Sequence, residues 1–467
     1  MKIALAQIKY RTADLKFNYE NIINNIVSEC DLVIFPKIDC EDFGGKDLSL
    51  DDAFCSAKID FLTKIAEKNL PQNILIGDIL IKDGNCEYVN DGFFEINDKK
   101  FFVSDSFLQD VNCDYYILSQ NRYFAINTQK DFVESINSDC NFIYVNAIGL
   151  VDENVYAGMS FAKNSDNEIV LQMPECKEDV RIIDFSEKYN YKENALEEQI
   201  VNITVFALRE YCGITGFKKV ILGLSGGIDS ALTAVLAVKA LGKENVLGIL
   251  MPSMFSSKGS VSDSLELANI LGIKTIKEPI TELFENFMNK REKLSDLAEE
   301  NLQARLRGLI LMFYSNRYGY LLLSTGNKSE SAMGFGTLYG DLAGGYNLIC
   351  DLTKTNVYKV SNYLNRDKVV IPQQIIDKAP SAELHPNQKD QDRLPEYEVL
   401  DDIIEMYLEN NISVNEISKK YDKKIVQDVV KKIYGMQFKR YQCCMGVRLT
   451  ERAFIKGVDL PVIQNFY

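Results

Sequence analysis

Short apolar runs separated by Asn, Asp and Gly turns mark the first part of the chain, up to about Phe185. Their length and their bounding turn residues are typical of β-strands. A segment with a helical pattern, NYENIINNIVSEC, follows the first of them. This mixture predicts an α/β layered domain over residues 1–185. The runs are KIALAQI, DLVIFP, NILIGDILI, GFFEI, KFFVS, NFIYVNAIG and EIVLQMP.

Longer alternating units begin at Ile200, after the polar segment SEKYNYKENALEEQ, where we place the domain boundary. The predicted strands are KKVILGL, VLGILMP, TIKEPI and YLLLSTG. The predicted helices, which end at glycine, are SALTAVLAVKALG, VSDSLELANILG and EENLQARLRGLILMFYSNRYG. Strand–helix–strand alternation with buried strands predicts a parallel, doubly wound sheet in a second domain over residues 186–467.

Composition narrows the class of protein. The chain has 467 residues, 46% hydrophobic and 25% charged, as in an ordinary globular protein of more than one domain. No apolar run approaches the roughly 18–20 residues of a membrane span, and MKIALAQIKY predicts a strand rather than a signal peptide. A net charge of −15 without a basic block argues against nucleic acid as a partner. Eleven cysteines without a Cys-x-x-Cys pair indicate reduced thiols and a cytoplasmic location.

The stretch LGLSGGIDSALTAV, residues 222–235, joins a predicted strand to a predicted helix. At this edge of a parallel sheet, consecutive glycines before a helix N-terminus can form an anion-binding loop. Ser225 and Ser230 can donate hydroxyl hydrogen bonds to the same anion, and Asp229 is suited to hold a divalent cation. From these residues alone, a tight turn with Ser and Asp as helix caps is the alternative.

The GLSGGIDS loop resembles the pyrophosphate-binding loop of the ATP pyrophosphatase class, and the second domain resembles the NAD synthetase family within that class. The similar blocks are MPSMFSS, ENLQARLRGLILMFYSN, LLLSTGNKSESAMGFGTLYGDLAGGYN, DLTKTNVYKV and APSAELHPNQKDQDRLPEYEVLD. The resemblance implies a parallel sheet of the ATP pyrophosphatase type and the amidation of deamido-NAD to NAD. In that reaction ATP adenylates the carboxylate, pyrophosphate leaves, and ammonia displaces AMP.

The resemblance also implies roles for individual residues. Asp229 and Glu330 are the implied ligands of Mg²⁺, and with Lys354 they are the implied catalytic group. The implied ATP contacts are Gly223, Leu224, Ser225, Gly226, Gly227, Ile228, Asp229, Ser230, Thr325, Lys354 and Ser381. The implied deamido-NAD contacts are Asn301, Arg305, Glu330, Phe335, Gly336, Thr337, Leu338 and Lys439.

Two features of the second domain have plainer interpretations. Without the resemblance, Arg305 and Arg307 would be expected to pair with Glu299 and Glu300 on a solvated helix face. The segment SAELHPNQKDQDRLPEYE is rich in turn formers and charge, so it is predicted to be a mobile loop that orders over bound substrate. His385 lies in this loop and is not predicted to be catalytic.

Parts of the first domain resemble the nitrilase-like glutaminase domain of many NAD synthetases: MKIALAQIKYRTADLKFNYENI, DLVIFP, NRYF and YVNAIGLVDENVYAGMSFAKN. Such a domain needs a cysteine nucleophile, a glutamate base and a lysine for the oxyanion. Lys37 stands where the glutamate is expected, and no lysine lies between Lys100 and Lys130. Cys140 lacks the following Glu-Asp, and Cys40, which has it, stands in another block. We therefore predict a shortened, catalytically inactive nitrilase-like α/β sandwich, with ammonia as the nitrogen donor.

Alternatives stay open at this point. The chain can be a glutamine-dependent NAD synthetase that uses a relocated cysteine or a partner glutaminase. It can also be another ATP pyrophosphatase amidoligase, because such enzymes share the glycine-rich loop. In either case the resemblance implies a homodimer or a higher homo-oligomer.

Overall fold

The computed structural model describes residues 1–38, 43, 45–292, 296–385 and 388–466. The chain divides into two compact units, Met1–Asn194 and Ala195–Tyr467. The boundary predicted after residue 185 lies in the irregular segment that ends the first unit. Within the described residues, no helix combines the length and the apolar character that crossing a membrane requires.

Short strands and few helices build the first unit. Its strands are β1 (Ile3–Gln7), β2 (Leu32–Phe35), β3 (Asn73–Ile76), β4 (Ile79–Lys82), β5 (Asn85–Tyr88), β6 (Gly92–Ile96), β7 (Lys99–Ser104), β8 (Tyr115–Leu118), β9 (Asn141–Tyr144), β10 (Ile148–Val151), β11 (Asn154–Ala157), β12 (Phe161–Lys163), β13 (Ile169–Gln172) and β14 (Asp179–Ile182). Its helices are α1 (Leu15–Asn24), α2 (Asp52–Ala66) and α3 (Gln129–Ser135), with a 3-10 turn at Lys46–Leu50.

Two sheets stack in this unit, as the alternation of apolar side chains requires. The described part of the chain forms two six-stranded sheets, ordered β14-β1-β2-β3-β4-β5 and β13-β12-β9-β8-β7-β6. Leu5 of the first sheet and Val103 of the second belong to one buried cluster, which is the core between the sheets. The outer faces pack against helices, with Phe61 of α2 on one side and Phe132 of α3 on the other. The unit is therefore an α/β sandwich.

The run NILIGDILI was predicted as one strand and is two. β3 and β4 pair antiparallel, with Ile76 opposite Ile79. The chain reverses at Gly77, whose φ of +59° lies in the left-handed region that favours glycine. Apolar residues continue on both sides of the turn, so the hydrophobic pattern alone does not reveal it.

Longer helices build the second unit. Its strands are β15 (Val220–Gly223), β16 (Val246–Leu250), β17 (Lys274–Lys277), β18 (Leu321–Ser324) and β19 (Tyr346–Asn347). Its helices are α4 (Leu196–Thr215), α5 (Ile228–Leu241), α6 (Lys258–Leu271), α7 (Thr281–Met288), α8 (Leu297–Tyr318), α9 (Lys328–Met333), α10 (Lys354–Leu364), α11 (Gln373–Asp377), α12 (Tyr397–Ile404), α13 (Val414–Ile417), α14 (Lys423–Gly435) and α15 (Gln437–Arg440). Short 3-10 turns at Lys243–Asn245 and Asp390–Asp392 and a π-helical turn at Glu405–Glu409 complete the described part.

The sheet of the second unit is parallel and doubly wound, as predicted. Its order is β17-β16-β15-β18-β19, and each neighbouring pair is parallel. The strand order reverses between β15 and β18, so their carboxyl ends form the crevice where such sheets bind ligands. Ile310 of α8 packs on Ile221 and Leu322, which covers one face of these strands.

A cluster of C-terminal helices supports one side of this crevice. Ala332 and Met333 of the short helix α9 are buried with Leu400 of α12 and Val429 of α14. A six-residue helix makes too few internal hydrogen bonds to be stable alone, so this packing fixes it. The packing holds the residues that precede and begin α9 at the end of β18.

Candidate active site

The glycine-rich loop connects the end of β15 to the start of α5. Gly226 has a φ of +77°, and a Cβ at this position would lie 2.5 Å from the carbonyl oxygen of Ser260. The backbone can therefore make this bend only with glycine. Gly227, the N-cap of α5, has no side chain to bond the first N–H groups of the helix. These groups and the helix dipole remain available for an anion.

Serine hydroxyls shape the same loop. The Oγ atoms of Ser225 and Ser230 are 3.1 Å apart, and the Ser225 Oγ accepts a hydrogen bond of 3.2 Å from the N–H of Gly227. The Ser230 hydroxyl also donates to the Gly227 carbonyl at 3.0 Å. The hydroxyls thus hold the loop together from inside, and a bound anion would compete for them.

A lysine and two carboxylates meet beside the loop. Lys354, the first residue of α10, places its Nζ 2.5 Å from Oδ2 of Asp229 and 3.7 Å from Oε1 of Glu330. Asn327 donates through Nδ2 to Oδ1 of Asp229 at 2.9 Å. The side chain of Asn327 also accepts from the N–H of Glu330, while the Glu330 carboxylate accepts from the N–H of Asn327. This capping box at the start of α9 orients Glu330 toward Lys354.

Burial governs the electrostatics of this cluster. Desolvation and the nearby charge of Asp229 raise the pKa of Glu330 to about 8, although Lys354 opposes the shift. Burial alone would lower the pKa of Lys354, but the charges of Asp229 and Glu330 outweigh it and raise that pKa. Asp390 faces the same cluster, and desolvation raises its pKa as well. The cavity therefore disfavours the ionised form of these carboxyl groups beside a single lysine, and a bound cation would favour it.

The donor set fits Mg²⁺. Asp229 and Glu330 supply oxygen ligands from two elements that meet at one lysine, and Mg²⁺ in nucleotide sites is held by one or two carboxylates plus phosphates and water. No cluster of three or more acidic, histidine or cysteine side chains suited to a metal occurs among the described residues. The remaining ligands of a Mg²⁺ ion would therefore come from the nucleotide and from water.

These groups line one cavity of about 540 Å³. The predicted site residues that line it are Gly223, Leu224, Ser225, Gly227, Ile228, Asp229, Ser230, Asn301, Thr325, Glu330, Phe335, Gly336, Thr337, Lys354, Ser381 and Lys439. The predicted ATP positions and the predicted deamido-NAD positions are thus brought together in one place.

Hydrogen bonds order the part of the wall predicted to contact deamido-NAD. The Thr337 hydroxyl donates to Oδ1 of Asn301 at 2.8 Å. Lys439 donates through Nζ to the carbonyl oxygens of Gly334 and Gly336, each at 2.8 Å. Burial lowers the pKa of Lys439. Its ammonium group therefore fixes the turn after α9.

Gly226, Arg305 and Leu338 are the predicted positions that do not line the cavity. Gly226 turns toward Ser260, while Arg305 is exposed and donates through Nε to the Leu338 carbonyl at 3.2 Å. The cavity face of α8 runs through residues 297, 300, 301, 304, 307, 308 and 311. Each residue turns the helix by about 100°, so Arg305 lies beyond the edge of this stripe.

Arg307 occupies that stripe and was not predicted to be a site residue. Its guanidinium donates through Nε to the Met251 carbonyl at 3.1 Å, and burial lowers its pKa to about 10. Glu300 does not pair with an arginine of its own helix, because Arg393 binds it through two hydrogen bonds of 2.9 Å. Arg307 lies three residues after Ala304 and therefore shares its helix face. This spacing was the signal that could have identified Arg307.

The predicted mobile segment borders the cavity. Ser381 accepts a hydrogen bond of 3.1 Å from the N–H of Glu383, and Glu383 binds the Ser257 hydroxyl and Lys378 at 2.9 Å each. His385 lies 3.9 Å from Glu300. Pro386 and Asn387 of this segment lie outside the described residues. Its mobility stays a prediction.

The first unit places Lys37 in an ion pair. Its Nζ lies 2.9 Å from Oδ2 of Asp78, and both side chains are largely buried. A paired ammonium group cannot take a proton as the glutamate of a glutaminase does. Cys140 is buried and directly precedes β9. Cys40 and the Glu-Asp that follows it lie outside the described residues.

Comparison with known proteins identifies relatives of more than half of the chain. The NAD synthase family model matches residues 200–443. The glutamine-dependent NAD(+) synthetase of Aquifex aeolicus is 40% identical over 385 residues, covering 73% of this chain and 68% of that protein. The glutamine-dependent NAD(+) synthetase of Thermotoga maritima is 48% identical over 278 residues, covering 58% of this chain. The match spans about half of the Thermotoga protein, 48% of its length.

Solved structures share the fold over nearly the full length. The glutamine-dependent NAD⁺ synthetase of Acinetobacter baumannii, determined in complex with ADP, is 28% identical with a TM-score of 0.75 and covers 99% of this chain and 98% of that one. The enzyme of Cytophaga hutchinsonii is 16% identical with a TM-score of 0.82 at the same coverage, which shows a common fold.

These relatives correct one prediction and establish the family. The prediction of an ammonia-dependent enzyme is wrong, because the relatives that are 40–48% identical to this chain are glutamine-dependent synthetases. The predicted two-domain fold, with a nitrilase-like sandwich and a sheet of the ATP pyrophosphatase type, is confirmed by the full-length structural matches. The chain belongs to the NAD synthase family.

Proposed function

We propose that this protein converts deamido-NAD to NAD at the expense of ATP, with glutamine as the source of the amide nitrogen. One observation carries the proposal. An anion-binding loop, a carboxylate pair suited to Mg²⁺ and the predicted dinucleotide contacts share a single cavity of about 540 Å³. That arrangement suits a reaction in which a bound carboxylate attacks the α-phosphorus of ATP.

The loop after β15 supplies the groups that an ATP site needs. Negative charge builds on pyrophosphate as it leaves, so oriented N–H donors and fixed cations accelerate this step. The free N–H groups at the start of α5 and the ammonium group of Lys354 are in place before ATP binds. Mg²⁺ held by Asp229 and Glu330 would neutralise further phosphate charge. The Acinetobacter relative was determined in complex with ADP, which supports nucleotide binding by this chain.

The part of the cavity wall that contains Asn301, Thr337 and Lys439 suits the dinucleotide. Asn301 and Thr337 are fixed by their mutual hydrogen bond, and Lys439 holds the backbone at Gly334 and Gly336. These residues would orient deamido-NAD so that its carboxylate faces the α-phosphate of ATP. After adenylation, ammonia would attack the activated carbonyl carbon and release AMP.

The relatives and the residues of the first unit together support a proposal for where glutamine is hydrolysed. The relatives use glutamine, whereas Lys37 occupies the place of the usual catalytic base and pairs with Asp78. We therefore place glutamine hydrolysis at a relocated cysteine of this chain or on a partner glutaminase. Cys40 is the one cysteine that is followed by Glu-Asp, as the family nucleophile is. Cys140 is the alternative position for the cysteine that hydrolyses glutamine.

The test is NAD formation by the purified chain with deamido-NAD, ATP, Mg²⁺ and glutamine, with ammonium as a donor that bypasses glutamine hydrolysis. NAD from glutamine that is lost in Cys40→Ala and kept in Cys140→Ala would locate the glutaminase at Cys40, and the reverse result would locate it at Cys140. Glutamine turnover that appears only after a glutaminase is added would support the partner. Absence of NAD with every donor would overturn the proposal.

A further inference from the structure

Two cysteines of the first unit lie side by side where neighbouring strands begin. Cys113 precedes β8 and Cys140 precedes β9, and these strands pair in parallel with Tyr115 opposite Asn141. The two Sγ atoms are 3.1 Å apart. A disulfide bond is about 2.05 Å long, so the sulfurs need to approach each other by only about 1 Å.

The surroundings make the two sulfurs unequal. Cys140 is buried in the aromatic cluster that contains Phe132 of α3, while Cys113 is partly exposed. The hydrogen bond with Cys113 lowers the pKa of Cys140 to about 7, despite burial, and the Ser138 hydroxyl at 3.2 Å contributes. The same hydrogen bond and burial raise the pKa of Cys113. The contact thus favours the thiolate form on Cys140 and the thiol form on Cys113.

We propose that Cys113 and Cys140 form a redox modification site, which closes to a reversible disulfide when a hydroperoxide oxidises it. This proposal rests on the 3.1 Å separation of two thiols at the rim of a core.

The chemistry balances with hydrogen peroxide as the oxidant. The Cys140 thiolate attacks one peroxide oxygen, the O–O bond breaks, and the departing hydroxide takes a proton to become water. Cys113 then loses its proton and attacks the resulting sulfenic sulfur, so the S–S bond forms and the S–O bond breaks. The second hydroxide leaves with that proton as water. Two thiols are oxidised by two electrons, and one peroxide is reduced to two waters.

Closure would tie two adjacent strands to each other. The segment between the cysteines contains β8 and α3, so the disulfide would close this segment into a loop. Cross-linking across such a loop removes conformations of the unfolded chain and stabilises the folded unit. We therefore expect the oxidised protein to unfold several degrees higher than the reduced protein.

The experiment treats the reduced full-length protein with increasing hydrogen peroxide and maps its peptides by mass spectrometry without reduction. We expect a Cys113–Cys140 cross-link that dithiothreitol reverses, with a parallel rise in unfolding temperature. Cys113→Ser should instead leave a sulfenic acid on Cys140 that dimedone traps. Cys86→Ser is the matched control, because Cys86 is an exposed thiol, and it should leave the cross-link intact.

Three results would overturn the proposal. The first is oxidation of Cys86 at peroxide concentrations that leave the pair fully reduced. The second is sulfinic acid on Cys140 without any cross-link. The third is a cross-link that forms in urea but not in the folded protein, as circular dichroism defines it.

Discussion

Charge balance around Lys354 is the central feature at the scale of single residues. Its ammonium group contacts Asp229 and approaches Glu330, and it lies almost wholly out of solvent. Two partly buried carboxyl groups beside one lysine resist ionising together unless a further cation joins them. ATP arrives with Mg²⁺, and a bound Mg²⁺ would favour the ionised form of both groups.

Replacing either carboxyl group should weaken the binding of Mg²⁺ at this site. We expect Asp229→Asn and Glu330→Gln to lower kcat for NAD formation by roughly 10²–10³-fold, as loss of a preorganised electrostatic group does. The measurement is steady-state kinetics over a range of Mg²⁺ concentrations. Asp296→Asn is a matched control, because Asp296 only caps α8 and asparagine caps equally well. Wild-type activity in both site variants would refute the metal assignment.

The loop itself depends on one glycine. Gly226→Ala should destabilise the protein and raise the Kd for ATP, because alanine would have a strained φ and would overlap the Ser260 carbonyl. We expect a loss of about 1–3 kcal/mol in the free energy of unfolding. Gly213→Ala, in helix α4, is the control because nothing lies within 4 Å of an added Cβ, and it should be neutral or slightly stabilising. Equal effects of the two substitutions would contradict this view of the loop.

At the scale of elements, the short helix α9 connects stability to catalysis. Asn327 caps this helix and also binds Asp229, so Asn327→Ala should lower stability by about 1 kcal/mol and reduce kcat. Ser413 caps helix α13 through the N–H of Glu416 and makes no contact with Asp229 among its described hydrogen bonds. Ser413→Ala should therefore lower stability similarly with kcat unchanged. The comparison needs chemical denaturation and kinetics, and equal kcat values in the two variants would argue against a positioning role for α9.

Helix α8 offers a second comparison, between two of its arginines. Arg307 lies on the cavity wall and Arg305 is exposed. We expect Arg307→Ala to lower kcat/KM by roughly 10–100-fold, the loss of a hydrogen bond to a charged substrate group, and Arg305→Ala to have a smaller effect. Each variant would be assayed with deamido-NAD and ATP varied separately. A large loss in Arg305→Ala alone would restore the prediction made from the sequence.

The sequence predicted most strands in the sheet of the second unit, because buried parallel strands are continuous apolar runs. β19 has only two residues, Tyr346–Asn347, which is too short for any periodic signal. β14 pairs with β1 at a sheet edge and contains Asp179 and Arg181, so its exposed side gives no apolar run. Edge strands and short strands are defined by their partners, which a local pattern does not contain.

The site was predicted less evenly than the fold. The spacing of the glycine-rich loop located the anion site, and the family resemblance brought Glu330 and Lys354 to it. Arg307 was missed, because the sequence does not show how α8 is rotated against β15. This rotation decides which of Arg305 and Arg307 faces the cavity. The pairing of Glu300 with Arg393 was also missed, because it joins residues far apart in the chain.

At the scale of the whole molecule, exposed apolar residues on α7 and α8 support the predicted homodimer or higher homo-oligomer. These helices contact each other, and Leu309 and Phe313 of α8 are 63% and 54% exposed. Apolar groups of this size on one helix face are typical of protein interfaces. Phe313→Glu should convert a dimer to a monomer in light scattering after gel filtration. Ile59→Glu, at a 66% exposed site in α2, is the control and should leave the mass unchanged, whereas a monomeric wild-type protein would contradict the prediction.

The stoichiometry of the reaction tests the proposed chemistry at the ATP loop and the Asp229–Glu330 pair. Purified protein would receive deamido-NAD, ATP, Mg²⁺ and a nitrogen donor, and NAD, AMP and pyrophosphate would be quantified together. We expect one AMP and one pyrophosphate for each NAD, with all three lost in Asp229→Asn. Formation of ADP and phosphate in place of AMP, or consumption of ATP without NAD, would contradict this expectation.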